Sequence, residues 1–362
     1  MVATQILTEA LGDSYDIKVV LPIEAILGDL DPVKTITMGR CDGEGFYNIL
    51  LQKGYNRCLN AMIKWQMGTQ FFLSHGRLQR RFRRLFAKER PDMVISVMPL
   101  INSEAADMAA ELKIPFLCTT LDGNLALWLN DMENCVNKNV HFTVLALTAN
   151  VEKQLQSAGI NKDNVHVVGP LAKKEFFEEK DATAIRKAWN FPAEKPIVMI
   201  MMGGQGVASQ LKKCAKALID ADLDVHLAIC VGRNQEAARQ VQRLSSRCKR
   251  TSLTVIPFTN KVSDLMHVAD LFISKPGGQT CAEAIAMGLP MLLDKTHTWL
   301  FLERRNIDWL TPKHLGSYFK RYSELPELVK SHLGTRDRSL SLKTPPHDAL
   351  KSLVLSLLPV KH

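Results

Sequence analysis

Two glycine turns stand directly before predicted helices in the C-terminal half of the chain, Gly203-Gly-Gln-Gly206 after the apolar run 197–202 and Gly277-Gly278 after the apolar run 271–273. A helix N-terminus presents free backbone N–H groups and the positive end of its dipole, and glycine lets a phosphate come close to them. One such turn can be nothing more than tight packing, but two at strand ends in one sheet can hold a diphosphate from two sides. The first turn lacks the Gly-Lys-Ser/Thr ending of a Walker A loop and is not a full G-x-G-x-x-G, which counts against a P-loop NTPase and a plain dinucleotide dehydrogenase. Glu283 falls in the first turn of the helix that follows Gly278; it can accept hydrogen bonds from two ribose hydroxyls or be an exposed carboxylate favoured by the dipole. Phe258-Thr259, at the end of another predicted strand, can cover a base, or Phe258 can be core.

These residues need a scaffold of alternating strands and helices. Strands are predicted over 15–21, 93–97, 115–118, 143–147 and 164–168, with helices over 2–11, 103–112 and 149–157. A second series begins after a charged, proline-broken stretch, with strands over 197–202, 224–231, 253–256, 271–273 and 290–293 and helices over 207–219, 235–246, 262–267 and 280–287. This is an α/β pattern of two doubly wound, Rossmann-like domains facing a cleft, where ligands of such sheets bind. The predicted division is an N-terminal domain over 1–170, a linker over 171–195, a second domain over 196–338 and a tail over 339–362 whose helix packs back onto one domain. An α/β domain that opens on a helix without a preceding strand is expected to have lost its first strand.

The formal charge of +9 implies anionic partners, and polynucleotide, anionic lipid and nucleotide phosphate all fit it. Seven basic residues crowd 76–90, where Leu78, Phe82, Leu85 and Phe86 fall on one helix face. The plainer reading is a solvated surface helix; the sharper one is adhesion of Arg80, Arg81, Arg83 and Arg84 to anionic headgroups. Nucleic acid is not expected, since no aromatic platform or known motif accompanies the arginines. Eight scattered cysteines without a C-x-x-C pair read as thiols in a reducing compartment rather than a zinc or disulfide framework. No apolar run approaches the ~20 residues needed to cross a bilayer, so a cytoplasmic, peripheral membrane location is expected.

The segment Ser274-Lys-Pro-Gly-Gly-Gln-Thr-Cys-Ala-Glu-Ala284 followed by Gly288-Leu-Pro290 resembles the donor-site motif of the processive diacylglycerol glucosyltransferase and monogalactosyldiacylglycerol synthase family, MurG-like glycosyltransferases. Arg90-Pro-Asp-Met-Val-Ile-Ser-Val-Met-Pro99, Asn164-Val-His-Val-Val-Gly-Pro170, Met201-Met-Gly-Gly-Gln-Gly206 and Cys230-Val-Gly-Arg-Asn234 resemble further segments of that family, in its order. The resemblance implies a GT-B fold, a UDP-sugar donor, a diacylglycerol-type acceptor, no cofactor and no required metal. It assigns Gly204, Gly206, Gly277, Gly278 and Thr280 to the diphosphate, Glu283 to the ribose, and Phe258 with Thr259 to the uracil. Lys173 stands where the family usually has an arginine near the phosphates. Asp122, before Gly123, stands at the family's acidic cleft position as a candidate base, with a plain turn residue as the alternative.

The family pattern breaks in three places. Its glycine-rich loop ending in Gly-His is absent ahead of the first helix, and the segment near Trp128 is one residue shorter and lacks a histidine. Its sugar-contacting Pro-Gly-Gln-Glu-x-x-Asn becomes Trp299-Leu-Phe-Leu-Glu-Arg-Arg-Asn306, which keeps Glu303 and Asn306 but puts Leu302 in place of the glutamine. Two expectations follow, a hexosyltransferase making glycolipid at a membrane surface and a non-catalytic nucleotide- or lipid-binding descendant of it.

Overall fold

The computed structural model describes residues 2–21, 25–26, 28, 33–34, 37–52, 54–99, 101–125, 128, 142–203, 207–310 and 315–358. Short runs rich in Val, Ile, Leu and Met form its strands, and such runs suit parallel strands covered on both faces. The N-terminal part contains α1 (Val2–Leu11), α2 (Gly43–Gln52), α3 (Asn56–Glu89), β1 (Val94–Ser96), α4 (Asn102–Glu111), β2 (Phe116–Thr119), β3 (Thr143–Ala146), α5 (Ala149–Ser157) and β4 (Val165–Val167). Its sheet is parallel in the order β1-β2-β3-β4. After α6 (Ala182–Ala188) come β5 (Ile197–Met201), α7 (Ala208–Asp220), β6 (His226–Gly232), α8 (Gln235–Gln242), β7 (Ser252–Pro257), α9 (Val262–Val268) and β8 (Leu271–Ser274). They continue with α10 (Gly278–Ala286), β9 (Met291–Asp294), α11 (Ile307–Leu310), β10 (Gly316–Phe319), α12 (Leu325–His332) and α13 (His347–Leu357). This second sheet is also parallel, ordered β10-β9-β8-β5-β6-β7. Two parallel-sheet α/β units of this kind make a GT-B arrangement.

Several expectations need correcting. Residues 15–21 form no strand: Tyr15 and Ile17 pack on the core, but among the described residues no strand lies in register with this run. Apolar alternation supplied burial there without a ladder. Strand β10 and helix α12 went unread; in β10 only Phe319 is fully buried, while Tyr318 is exposed, so the run carries little apolar signal. The arginine-rich helix is only the last part of the 34-residue α3, which ends where Arg90 turns left-handed at φ 45°. The stretch between the sheets is packed, with Leu171, Ala172 and Phe176 in the core and Asp181 capping α6 through Thr183 and Ala184 N–H. Helix α13 returns to pack against α1.

The stripe Leu78, Phe82 and Phe86 is buried, which fixes which side of α3 faces water. Arg81 then donates to the Ile26 carbonyl at 2.7 Å and Arg83 pairs with Glu111 at 2.6 Å. Arg80 Nε bonds the Gly76 carbonyl of its own helix, and Arg84 is exposed. Three of the four arginines expected at a membrane are thus engaged by protein groups, two of them beyond their own helix.

Candidate active site

Strand order reverses at β5, which lies between β6 and β8. Such a switch point leaves a crevice at the strand C-termini, because the connections leave in opposite directions. Met201 pairs with Ser274 across it, and the Ser274 hydroxyl donates to the Met201 carbonyl at 2.7 Å. The turns at Gly203 and at Gly277-Gly278 therefore leave from adjacent strand ends. Gly204 and Gly206 lie outside the described residues. Gly203 has φ +74°, a left-handed backbone that favours glycine, and the Lys275 side chain passes beside it.

Helix α10 begins at Gly277 without a side-chain cap, whereas Thr148, Asp181 and Asn234 cap α5, α6 and α8. Its first-turn N–H groups open towards a cavity of about 320 Å³ lined by Gly203, Lys275, Gly277, Gly278, Thr280 and Glu303. Lys275 Nζ meets Glu303 Oε1 at 2.5 Å. Burial works against the lysine's charge, but Glu303, Tyr47 and Asp122 outweigh it and hold the ammonium above its usual range. Tyr47, carried in by α2, has its hydroxyl pushed up by burial and by Glu303 and Asp122. Neither Lys275 nor Tyr47 stood out in the sequence, although Lys275 sits inside the glycine motif and a cation there was a readable signal.

Asp122 lies on the other side of Gly278. Any side chain at Gly278 would collide with the Leu121 carbonyl oxygen and come 2.9 Å from Asp122 Oδ1, so the two parts of the molecule meet there at backbone distance. Asp122 lines a second cavity of about 310 Å³ together with Val97, Leu121, Leu147, Gln279 and Ala282. Burial, reinforced by Glu303, pushes its carboxyl up to about 6, against the opposing pull of Asn306 and Lys275.

Asn306 is fully buried and joins the parts. Its Oδ1 accepts from Gly123 N at 2.5 Å, and its Nδ2 donates to the Pro276 carbonyl at 2.8 Å and reaches Asp122 Oδ1 at 3.4 Å. The carboxamide is spent on protein groups, which explains its position without a sugar. Glu303 does line the cavity of about 320 Å³.

The remaining candidates sit apart from that cavity. Glu283 is 9% exposed and accepts from Gln279 Nε2 at 3.0 Å; burial pushes it up to about 7, opposed by Gln279 and Lys173. Phe258 is exposed at the end of β7, and the Arg233 guanidinium lies 3.7 Å from its ring centroid. Thr259 accepts from Lys261 N.

The fold and this crevice define a GT-B protein, and comparisons with known proteins narrow the class. Residues 197–293 match the glycosyltransferase family 28 C-terminal domain. The chain is 26% identical over 318 residues to the processive diacylglycerol beta-glucosyltransferase of Bacillus licheniformis, covering 87% of this chain and 76% of that protein. It is 26% identical over 286 residues to the chloroplastic monogalactosyldiacylglycerol synthase of Spinacia oleracea, covering 76% of this chain but about half, 52%, of that protein. Among solved structures, Acinetobacter baumannii MurG superposes with a TM-score of 0.57 at 15% identity, covering 78% and 80% of the two chains. A putative UDP-N-acetylglucosamine 2-epimerase of Listeria monocytogenes superposes at 0.55 and 14% identity, covering 80% of each. At those identities the structures show the fold alone. The chain is thus similar to the processive diacylglycerol glucosyltransferases and monogalactosyldiacylglycerol synthases, with a match to the family 28 C-terminal domain over 197–293.

Proposed function

We propose that this protein is a hexosyltransferase that moves sugar from a UDP-sugar to a diacylglycerol-type acceptor at a membrane surface. The observation that carries the reading is the pair of glycine turns side by side at the switch point, with an uncapped helix and a lysine on one side of Gly278 and a carboxylate on the other. In this reading the diphosphate lies on the first turn of α10, where backbone N–H groups and Lys275 balance its charge. Glu283 takes the ribose hydroxyls and Phe258 with Thr259 the uracil, with Lys173 near the phosphates. Gly278 rests against Leu121 and Asp122, so the two units part slightly to admit donor.

Asp122, ionised above a pKa of about 6, takes the proton of the acceptor hydroxyl as its oxygen attacks the anomeric carbon. The bond from that carbon to the diphosphate oxygen breaks, and UDP leaves with the electron pair. No metal is required for this step, and a chelator should leave turnover unchanged. One observation favours a second reading, nucleotide binding without transfer: Asn306, kept at a sugar-contacting position, is consumed by protein contacts.

The deciding experiment is incubation with a panel of UDP-hexoses and diacylglycerol-containing vesicles, followed by chromatography of the lipids. A new glycolipid with stoichiometric UDP release is expected. UDP binding by calorimetry without any product over the panel leaves the second reading, and absence of both removes the proposal.

A further inference from the structure

The donor-side cavity continues outward into a larger one of about 780 Å³, the two sharing Gly54, Asn56, His297, Thr298 and Trp299. Arg57, Lys295, His297 and Arg304 all line this outer cavity, and among the described residues its lining holds no aspartate or glutamate. No ion pair joins any of these four to a carboxylate among the described residues. Lys295 is held instead by aromatic faces, its Nζ 5.0 Å from the Trp299 ring and 4.3 Å from the Tyr318 ring. Arg304 lies 5.9 Å from the Phe301 ring, and Arg57 donates to the Thr298 hydroxyl at 3.5 Å. Two acids of the adjoining cavity are already engaged, Asp294 by Thr296 and Tyr322 and Glu303 by Lys275.

Like charges gathered around one concave surface repel one another, so this wall stays costly until an anion enters. Elsewhere on the surface basic residues do find acids, as Arg247 does with Asp220 and Lys330 with Glu327. At the mouth of this cavity, by contrast, four basic side chains share one concave surface without such a partner. The first turn of α3 opens onto the same space with no side-chain cap at Tyr55, which adds to the positive potential.

We infer that the outer cavity is an anion subsite that takes a phosphate or carboxylate group presented beside the nucleotide-sugar pocket, with Lys295 and Arg304 as its principal contacts. The inference rests on the adjoining cavity taking a nucleotide sugar. The anionic group can arrive on the donor, as a carboxylate on its sugar, or on a phosphate headgroup at a lipid surface.

The test uses the full chain and a Lys295→Gln/Arg304→Gln variant, both side chains being exposed, with melting curves to show that the variant folds. Calorimetry with UDP comes first, because absent UDP binding would sink the proposed function by itself. UDP-glucuronate and UDP-glucose are then compared, and sedimentation with phosphatidylglycerol vesicles is set against phosphatidylcholine vesicles. If the anion is on the donor, UDP-glucuronate binds about tenfold tighter than UDP-glucose, and the variant loses that margin while keeping UDP affinity. If it is a headgroup, the two nucleotide sugars bind alike, and the variant sediments about tenfold less with phosphatidylglycerol despite its intact α3 arginines. Equal affinity for both sugars together with unchanged sedimentation overturns the subsite. An Arg57→Gln change should give a smaller loss in the same arm.

Discussion

Helix α10 divides two cavities of nearly equal size, about 320 and 310 Å³, that differ in chemistry. One is walled by glycine backbone, an uncapped helix turn and the Lys275–Glu303 pair; the other is walled by Val97, Leu121, Leu147 and Ala282, with Asp122 as its one carboxylate. A departing diphosphate needs N–H groups and positive charge, whereas a lipid hydroxyl needs an apolar approach and a base. The difference teaches that a single helix start can border a polar and an apolar cavity at once, with Gly278 keeping them a backbone's width apart, which is what the proposed transfer would need.

Breaking the acceptor side alone should give the largest effect. Asp122→Asn is expected to lower turnover by about 10²- to 10⁴-fold while leaving calorimetric UDP affinity within about threefold. A mutant with full turnover would remove Asp122 as the base. On the donor side, Glu283→Ala should weaken UDP by about tenfold, since two hydrogen bonds to a charged acceptor are lost, and unchanged affinity would sink the ribose assignment.

Protonation separates the two sides further. The folded Glu283 carboxyl titrates near 7 against an ordinary 4.5, so the native state holds its proton more tightly than the unfolded chain. Stability without ligand is therefore fullest below 4.5 and falls as pH rises towards about 7. Asp122, raised from 3.8 to about 6, acts in the same direction over a lower window. Urea midpoints of Glu283→Gln should flatten between those limits, and a slope identical to that of the parent would show that Glu283 is not the titrating group. The smallest effect is expected from replacing Arg80, Arg81, Arg83 and Arg84 with Gln. Because Arg81 and Arg83 are bound to Ile26 and Glu111, binding to anionic vesicles should fall by only about fivefold in sedimentation, and no change would leave α3 an ordinary surface helix.

Much of the second sheet was readable because parallel strands covered on both faces are local apolar runs. The runs at 197–201 and 271–274 announce themselves, and so do the glycines that follow them. Residues 15–21 form no strand because a strand needs a neighbouring strand, and apolar alternation within the run cannot show whether one is there. Strand β10 failed for the opposite reason, having a partner in β9 but too little apolar pattern to be seen. Lys275 was hidden in plain view, since its importance lies in Glu303, 28 residues away.

By itself the sequence determined the alternation of strands and helices, the position of both glycine turns and the family they resemble. These depend on neighbours in the chain, on period and on turn chemistry. Only the tertiary structure decided that the turns lie side by side, that Asp122 and Gly278 touch, and that Asn306 ties Gly123 to Pro276. Each of those is a contact between residues far apart in sequence, created when the strand order reverses at β5 and the two units close on the start of α10.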